Sequence, residues 1–341
     1  MDVVESEEGT NRRALLRLTY REGGAGSPSD PPTVFVKMHG RWLHRLALLA
    51  LRAWSAEARL AGAHVDLPLE HPRPYGGAFD RRRLEWVVVV DDVANRGGAI
   101  ARGTEPLSVA RVRSGLAGLA RLHARYWDRP LPQELAFLRP WQLGGGWAPV
   151  SALSLARGCR RLRDAQDGTT VAQMPAGTGV RQLERQFRRS ALLASHGPQT
   201  VLHGDAHPAN TYAVGGVTGF LDWQLVRTGS WSHDVGYFVA GSLDPPDRRR
   251  HEQDLLRGYL EDLARAGVDP SAGAPTWADA WERYRAAPAF GLATWLHTIG
   301  AGSFQPLDIC LRTIERYAAA YEDLETSRSL VGDLGSKRRA P

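Results

Sequence analysis

Two short apolar runs flank a glycine pair in NTYAVGGVTGFLD, residues 210–222. Gly215 and Gly216 suit the positive φ angles of a tight turn, so 211–214 and 217–221 are expected to pair as a hairpin. A hairpin brings its second strand back to where the first began. Asn210 and Asp222 are therefore expected side by side at its open end. Directly upstream, VLHGDAHPAN (201–210) sets two histidines and an aspartate in a loop that Pro208 stiffens. Asp205 precedes Asn210 by five positions and is expected near the same end. Metal binding, nucleophilic catalysis and phosphate chemistry each use clusters of this kind.

At 341 residues the chain is longer than a usual single core, which predicts two lobes. Residues 15–20, 33–37 and 87–93 read as strands. A Gly/Ser/Pro-rich connection, EGGAGSPSDPP, separates the first two and predicts a mobile loop. Residues 42–62 read as helix. Apolar positions then recur at helical spacing in 106–127, 179–194, 251–266, 276–297 and 306–324. The pattern predicts an α+β chain with a strand-rich N-lobe over 1–93. A larger, mainly helical C-lobe follows over 94–325, and 326–341 is a polar, disordered tail.

Several partner classes fit poorly. WLHRLALLALRAW (42–54) is the longest apolar candidate, but His44, Arg45 and Arg52 make it amphipathic, so no membrane partner is expected. The acidic N-terminus lacks a signal-peptide pattern, which predicts a cytoplasmic protein. The formal charge is +6, yet the arginines are scattered among acids, so no nucleic-acid partner is expected either. A monomer or a homodimer fits the composition. Cys159 and Cys310 are far apart and make no metal pair.

Asn210 and Asp222 together offer two oxygen ligands suited to a hard cation such as Mg2+. Asp205 is then left to orient a hydroxyl and accept its proton. Phosphoryl transfer to an alcohol needs these parts, plus a cation on the nucleotide phosphates. Lys37 supplies it. Lysine occurs only at 37 and 337 in a chain that otherwise uses arginine, and a compact ammonium is not equivalent to a guanidinium. Glu57, on the next helix, can hold Lys37; its alternative role is a surface pair with Arg52 or Arg59.

HGDAHPAN (203–210) followed by LDW (221–223) resembles the signature of the aminoglycoside phosphotransferase superfamily, which has the protein-kinase-like two-lobed fold. LARLHARYW (119–127), LDWQLVRTGSWSHDVGYFVAGSL (221–243) and YR (284–285) resemble its ecdysteroid-kinase-like branch more than its antibiotic-resistance enzymes. The resemblance implies Asp205 as catalytic base and Asn210 and Asp222 as metal ligands, with Trp223 as aromatic neighbour of Asp222. It implies Lys37 and Glu57 as the ion pair, and Asp234 and His203 as braces of the catalytic loop. The backbone of Val90, Asp91 and Asp92 would receive the nucleotide base, ATP or GTP. Asp91 and Asp92 also fit as ordinary turn residues. A glycine-rich phosphate loop has only one candidate, EEGTNRR (7–13).

Eleven residues separate Asp222 from Asp234, too few for a peptide-docking activation segment, so a small-molecule hydroxyl is the expected acceptor. His207, Arg227, Trp231, Arg285 and Trp295 are its candidate contacts, although His207 also fits as a loop brace. Most of the abundant aromatics are expected in the core; if a few face the cleft, a hydrophobic or sterol-like alcohol is favoured over a polycationic aminoglycoside. A two-metal phosphoesterase would need DxH and GNH[DE] elements, and a serine hydrolase GxSxG; the chain has none of these. The alternative to a kinase is a weakly active or inactive kinase-like binding protein. Such a protein would be expected to lose Lys37, Asp205, Asn210 or Asp222, and all four are present.

Overall fold

The computed structural model describes residues 1–8, 11–20, 30–50, 53–140, 148–165, 172–302 and 304–330. The chain opens with strands β1 (Asp2–Glu8), β2 (Arg12–Arg17) and β3 (Thr33–Met38), then helices α1 (Trp42–Ala50) and α2 (Ala56–Ala63). Strands β4 (Pro74–Asp80) and β5 (Glu85–Asp91) complete an antiparallel sheet ordered β1-β2-β3-β5-β4. Lys37 in β3 lies opposite Arg13 in β2 and Val88 in β5. Opposed residues of neighbouring strands share a face, so Arg13 and Lys37 project to the same side.

Helix α2 packs tightly on this sheet because its contact face is small. Ala58 and Ala61 are buried against Trp86 and Val88. A Cβ on Gly77 of β4 would lie 2.0 Å from the Ala58 carbonyl oxygen, so only glycine permits this approach. The close seat sets Glu57, in the first turn of α2, within reach of Lys37.

After β5 a short turn leads to β6 (Ala99–Ile100) and α3 (Val109–Arg125). Helices α4 (Ala148–Asp164) and α5 (Val180–Leu193) follow. Next come β7 (Thr200–Leu202), β8 (Thr211–Val214), β9 (Val217–Phe220) and β10 (Arg227–Gly229). The chain continues through α6 (Ser232–Ser242), α7 (Pro245–Arg265), α8 (Trp277–Ala301), α9 (Leu307–Asp323) and α10 (Thr326–Ser329). One apolar core joins these helices, with Leu116, Leu119, Phe238, Leu292 and Tyr317 among its buried members. The strands pair as β6-β8-β9 and β10-β7, and they carry the polar loops to the mouth of this core.

The α+β, two-lobed character expected from the pattern is present, with a sheet N-lobe and a helical C-lobe. Local differences have physical causes. The expected helix 42–62 is two helices, and the strand expected at 15–20 runs from Arg12 to Arg17. The hairpin partner β1 was not anticipated. Helix α7 begins at Pro245, ahead of the expected 251, because proline is tolerated in a first turn. The polar tail expected from 326 onward is corrected at its start: Thr326 is buried in α10 and donates its hydroxyl to the Arg285 carbonyl at 2.8 Å. Residues 331–341, most of the connection after Tyr20, and Gly9 of the phosphate-loop candidate lie outside the described residues. Among the described residues, no helix is long and apolar enough to cross a membrane.

Candidate active site

The glycine-paired hairpin forms in the expected register, with Thr211 opposite Phe220 and Val214 opposite Val217. Gly215 and Gly216 turn it at φ 55° and 80°. The Leu221 amide donates to the Asn210 carbonyl at 2.8 Å, closing the open end. Asn210 and Asp222 both border one cavity there.

The loop before the hairpin is held from inside. One Asp234 carboxylate oxygen accepts the His203 amide at 2.7 Å and the other accepts the Gly204 amide at 2.9 Å. The His203 ring lies 2.8 Å from the Leu221 carbonyl through Nε2, while Nδ1 accepts the Asp205 amide at 3.2 Å. Both bonds are satisfied by one tautomer, protonated on Nε2. Burial pushes the His203 ring pKa down, which favours that neutral form. Gly204 adopts φ +85°, and a Cβ there would lie 2.2 Å from the Leu225 carbonyl oxygen.

This bracing fixes the backbone at Asp205. Burial pushes its carboxyl up, but neighbouring His207 outweighs that effect and the pKa is lowered, so the group is a carboxylate at neutral pH. The Asn210 side-chain nitrogen donates to the Asp205 carbonyl at 3.0 Å and to its carboxylate at 3.2 Å. The amide nitrogen of Asn210 is thereby engaged, and its Oδ1 is left as the ligand atom. His207 places Nε2 3.6 Å from Asp205 Oδ2 and stands edge-on to Trp295 at 5.1 Å. Its position is that of a buried loop brace touching the acid.

Across the opening, Lys37 Nζ lies 2.7 Å from Glu57 Oε2 and 2.5 Å from Asp222 Oδ1. Lys37 is 4% exposed. Burial lowers its pKa, but Asp222 and Glu57 outweigh that and hold the ammonium charged. Burial raises Asp222, but Lys37 and Arg13 bring it to about 2. Burial also pushes Glu57 up, against the pull of Lys37. Glu57 accepts the Trp223 amide at 3.2 Å, which ties α2 directly to the Asp222 segment. Glu57 pairs with Lys37 and, among the described residues, not with Arg59; Arg52 lies outside them.

The cavity is about 290 Å³. Phe35, Val88, Val90, Val93 and Leu221 form apolar walls, while Lys37, Asn210, Asp222 and Arg13 make a polar end. A flat base and a charged tail would partition between those ends. Val90, Asp91 and Asp92 all border it. The Asp91 carboxylate, however, accepts the Arg73 amide at 2.6 Å and Arg96 Nε at 2.7 Å, and the Asp91 amide donates to the Arg73 carbonyl at 2.9 Å. Asp91 therefore has no spare amide proton for a base. Asp92 accepts Thr33 Oγ1 at 2.7 Å and the Ala94 amide at 3.0 Å. Both side chains act as turn residues.

A divalent cation fits the donor set. Asn210 Oδ1 and the ionised Asp222 are hard oxygen ligands on one rim, and Asp222 already attracts two cationic side chains. A full coordination shell would need oxygens from a phosphorylated ligand, as is usual for Mg2+.

Two expected contacts lie elsewhere. Trp231 is 2% exposed and stacks on Tyr259 at 5.2 Å, inside the core. Arg285 donates Nε to the Leu324 carbonyl at 2.8 Å beside Glu325, so it fastens the end of α9. Both are corrected as site contacts. Trp295 reaches the loop through His207, and Arg227 donates to the Leu225 carbonyl at 2.8 Å. Burial lowers the Arg227 guanidinium to about 10 despite the pull of Asp205 and Asp234.

Arg13 was missed. Its Nη2 lies 3.6 Å from Asp222 Oδ2, at the polar end of the cavity. The available signal was its place within EEGTNRR, the only phosphate-loop candidate.

The fold has counterparts among solved structures. Choline kinase from Cryptosporidium parvum Iowa II matches with a TM-score of 0.53 at 10% identity, over 97% of this chain and 89% of that one. Choline kinase LicA from Streptococcus pneumoniae matches at 0.50 and 12%, over 96% and 95%. Amicoumacin kinase hAmiN, in complex with AMP-PNP, Ca2+ and Ami, matches at 0.50 and 12%, over 94% and 88%. These likenesses establish the kinase-like fold. No curated protein matches the sequence. The model of the phosphotransferase enzyme family, APH, matches residues 25–270, most of the chain and all of the site from Lys37 to Asp234. With that match added to the geometry, the chain belongs to the APH phosphotransferase enzyme family.

Proposed function

We propose that this protein transfers the γ-phosphate of ATP, or of GTP, to a hydroxyl group of a small molecule, with Mg2+. The observation that carries the reading is the convergence of Lys37, Glu57 and Asp222 at a cavity that Asn210 also lines, with Asn210 donating to the Asp205 carboxylate at 3.2 Å. Membership of the phosphotransferase family supports the reaction class. The nucleotide analogue and divalent cation in the hAmiN complex support the cofactor pair.

The base of the nucleotide would lie between Val88, Val90 and Leu221, and its phosphates would run toward Lys37. Lys37, held by Glu57, would align the phosphates as a fixed positive charge. Mg2+ held by Asn210 Oδ1 and Asp222 would neutralise charge on the phosphate oxygens. Asp205 would accept the hydroxyl proton as the oxygen–phosphorus bond forms. The bond from the γ-phosphorus to the β–γ bridging oxygen breaks, and the nucleoside diphosphate leaves with that electron pair. Asp205 is ionised and its side chain is 28% exposed, so it can be reached, as a proton acceptor must be. Trp295 and Tyr237, which flank His207, are each 3% exposed and belong to the core, so these aromatics do not present an apolar surface to the acceptor.

The test is a screen of alcohols, antibiotics, choline-type amines and steroids for Mg2+-dependent ADP release by the wild type and Asp205→Asn. The reading expects at least one acceptor that stimulates the wild type alone. Equal release by both proteins with every stimulating acceptor would contradict it.

A further inference from the structure

We infer that Arg13 binds the β- and γ-phosphates of the nucleotide, doing with a side chain what a glycine-rich loop does with backbone amides. This rests on the phosphotransferase reading above.

Three observations converge on Arg13. Its position in β2 is directly opposite Lys37 in β3, so both cations stand on the same face of the sheet. Like charges directly opposed across strands repel. Such a pair is stabilised when an anion sits between them. In this structure that anion is Asp222, 2.5 Å from Lys37 and 3.6 Å from Arg13. Finally, Arg13 borders the cavity at its polar end with its side chain 37% exposed, whereas Lys37 is fixed and buried.

A triphosphate brings up to four negative charges to this end. A metal ion on Asp222 would weaken the hold of that carboxylate on Arg13, and the guanidinium would turn to phosphate oxygens. Its planar fork can engage two oxygens at once, which an ammonium cannot. Lys37 and Arg13 would then grip the phosphates from neighbouring strands.

The experiment titrates adenosine and ATP, each with Mg2+, into the wild type, Arg13→Gln and Arg13→Lys. Calorimetry reads ATP binding and ligand-observed NMR reads adenosine binding. Arg13→Gln is expected to weaken ATP roughly 10- to 100-fold, the loss of one or two charge-assisted hydrogen bonds. Adenosine affinity is expected to stay within about twofold, and Arg13→Lys to recover part of the ATP affinity. Unchanged ATP affinity in Arg13→Gln would overturn the inference. So would equal loss of adenosine and ATP, which would mark Arg13 as a strand residue only. A wild type that binds neither ATP nor GTP in the presence of Mg2+ would instead overturn the phosphotransferase reading itself.

Discussion

Lys37 and Asp222 are 185 residues apart in the chain, and their charged atoms meet at 2.5 Å. One is fixed by a β-sheet and the other by the end of a hairpin in the opposite lobe. Glu57 completes the contact from α2 at 2.7 Å. A single buried ammonium thus links β3, α2 and the end of the hairpin. An ion pair at this depth is a weak source of net stability, because desolvation consumes much of the Coulombic gain. The arrangement is better explained as preparation for an anionic ligand.

Lys37→Met should therefore be costly in two ways. It leaves Glu57 and Asp222 as uncompensated carboxylates, which should reduce stability by roughly 3 kcal/mol in urea denaturation. It should also cut phosphoryl transfer by orders of magnitude. Lys37→Arg should not restore transfer, since a guanidinium does not fit a site that is 4% exposed. Wild-type turnover in Lys37→Arg would show that charge alone matters.

Asp205→Asn should separate binding from chemistry. The amide keeps the size of the side chain but cannot take a proton. Turnover should fall on the order of 100- to 10,000-fold while nucleotide affinity changes little. Turnover within a few-fold of wild type would remove Asp205 from the role of base.

Gly204→Ala should damage the loop without touching any charged group. Its φ of +85° and the 2.2 Å approach of a Cβ to the Leu225 carbonyl leave alanine no unstrained place. A loss of roughly 2 kcal/mol or more is expected in thermal or urea unfolding, with reduced turnover. An unchanged melting curve would mean that the loop is free to rearrange.

Acid should expose the Lys37–Asp222 contact. The Asp222 carboxyl titrates near 2 in the folded protein, below its ordinary value of 3.8. A depressed folded pKa gives stability that is present above the unfolded pKa and lost as pH falls through the folded one. The window is therefore about pH 4 to pH 2, and the loss is on the order of 2 kcal/mol. Denaturation at stepped pH should show this loss in the wild type and a flatter profile in Asp222→Asn. Parallel profiles would contradict the assignment.

How much of this was legible in the chain follows from local physics. The hairpin was readable because two adjacent glycines set the turn and both strands are short. Lys37 stood out because arginine occupies nearly every other cationic position. Strand β4, PYGGAFD, was unreadable because its glycines serve a helix contact and lower its strand propensity. Helix α6 was missed because all eleven of its residues are buried, leaving no polar face to reveal the 3.6-residue period. Trp231 and Arg285 were misplaced for a related reason: an aromatic or a guanidinium in a helical region carries no mark of which way it points. The role of Asp234 came from the resemblance, and its two amide bonds to the loop are visible only in three dimensions.

The central claim is that Asp222 helps hold a metal–nucleotide complex opposite Lys37. Calorimetric titration of ATP with and without Mg2+, into the wild type and Asp222→Ala, tests it most directly. Mg2+-dependent binding by the wild type, abolished in Asp222→Ala, is the predicted result. Binding of equal affinity in the two proteins, or binding indifferent to Mg2+, would contradict it.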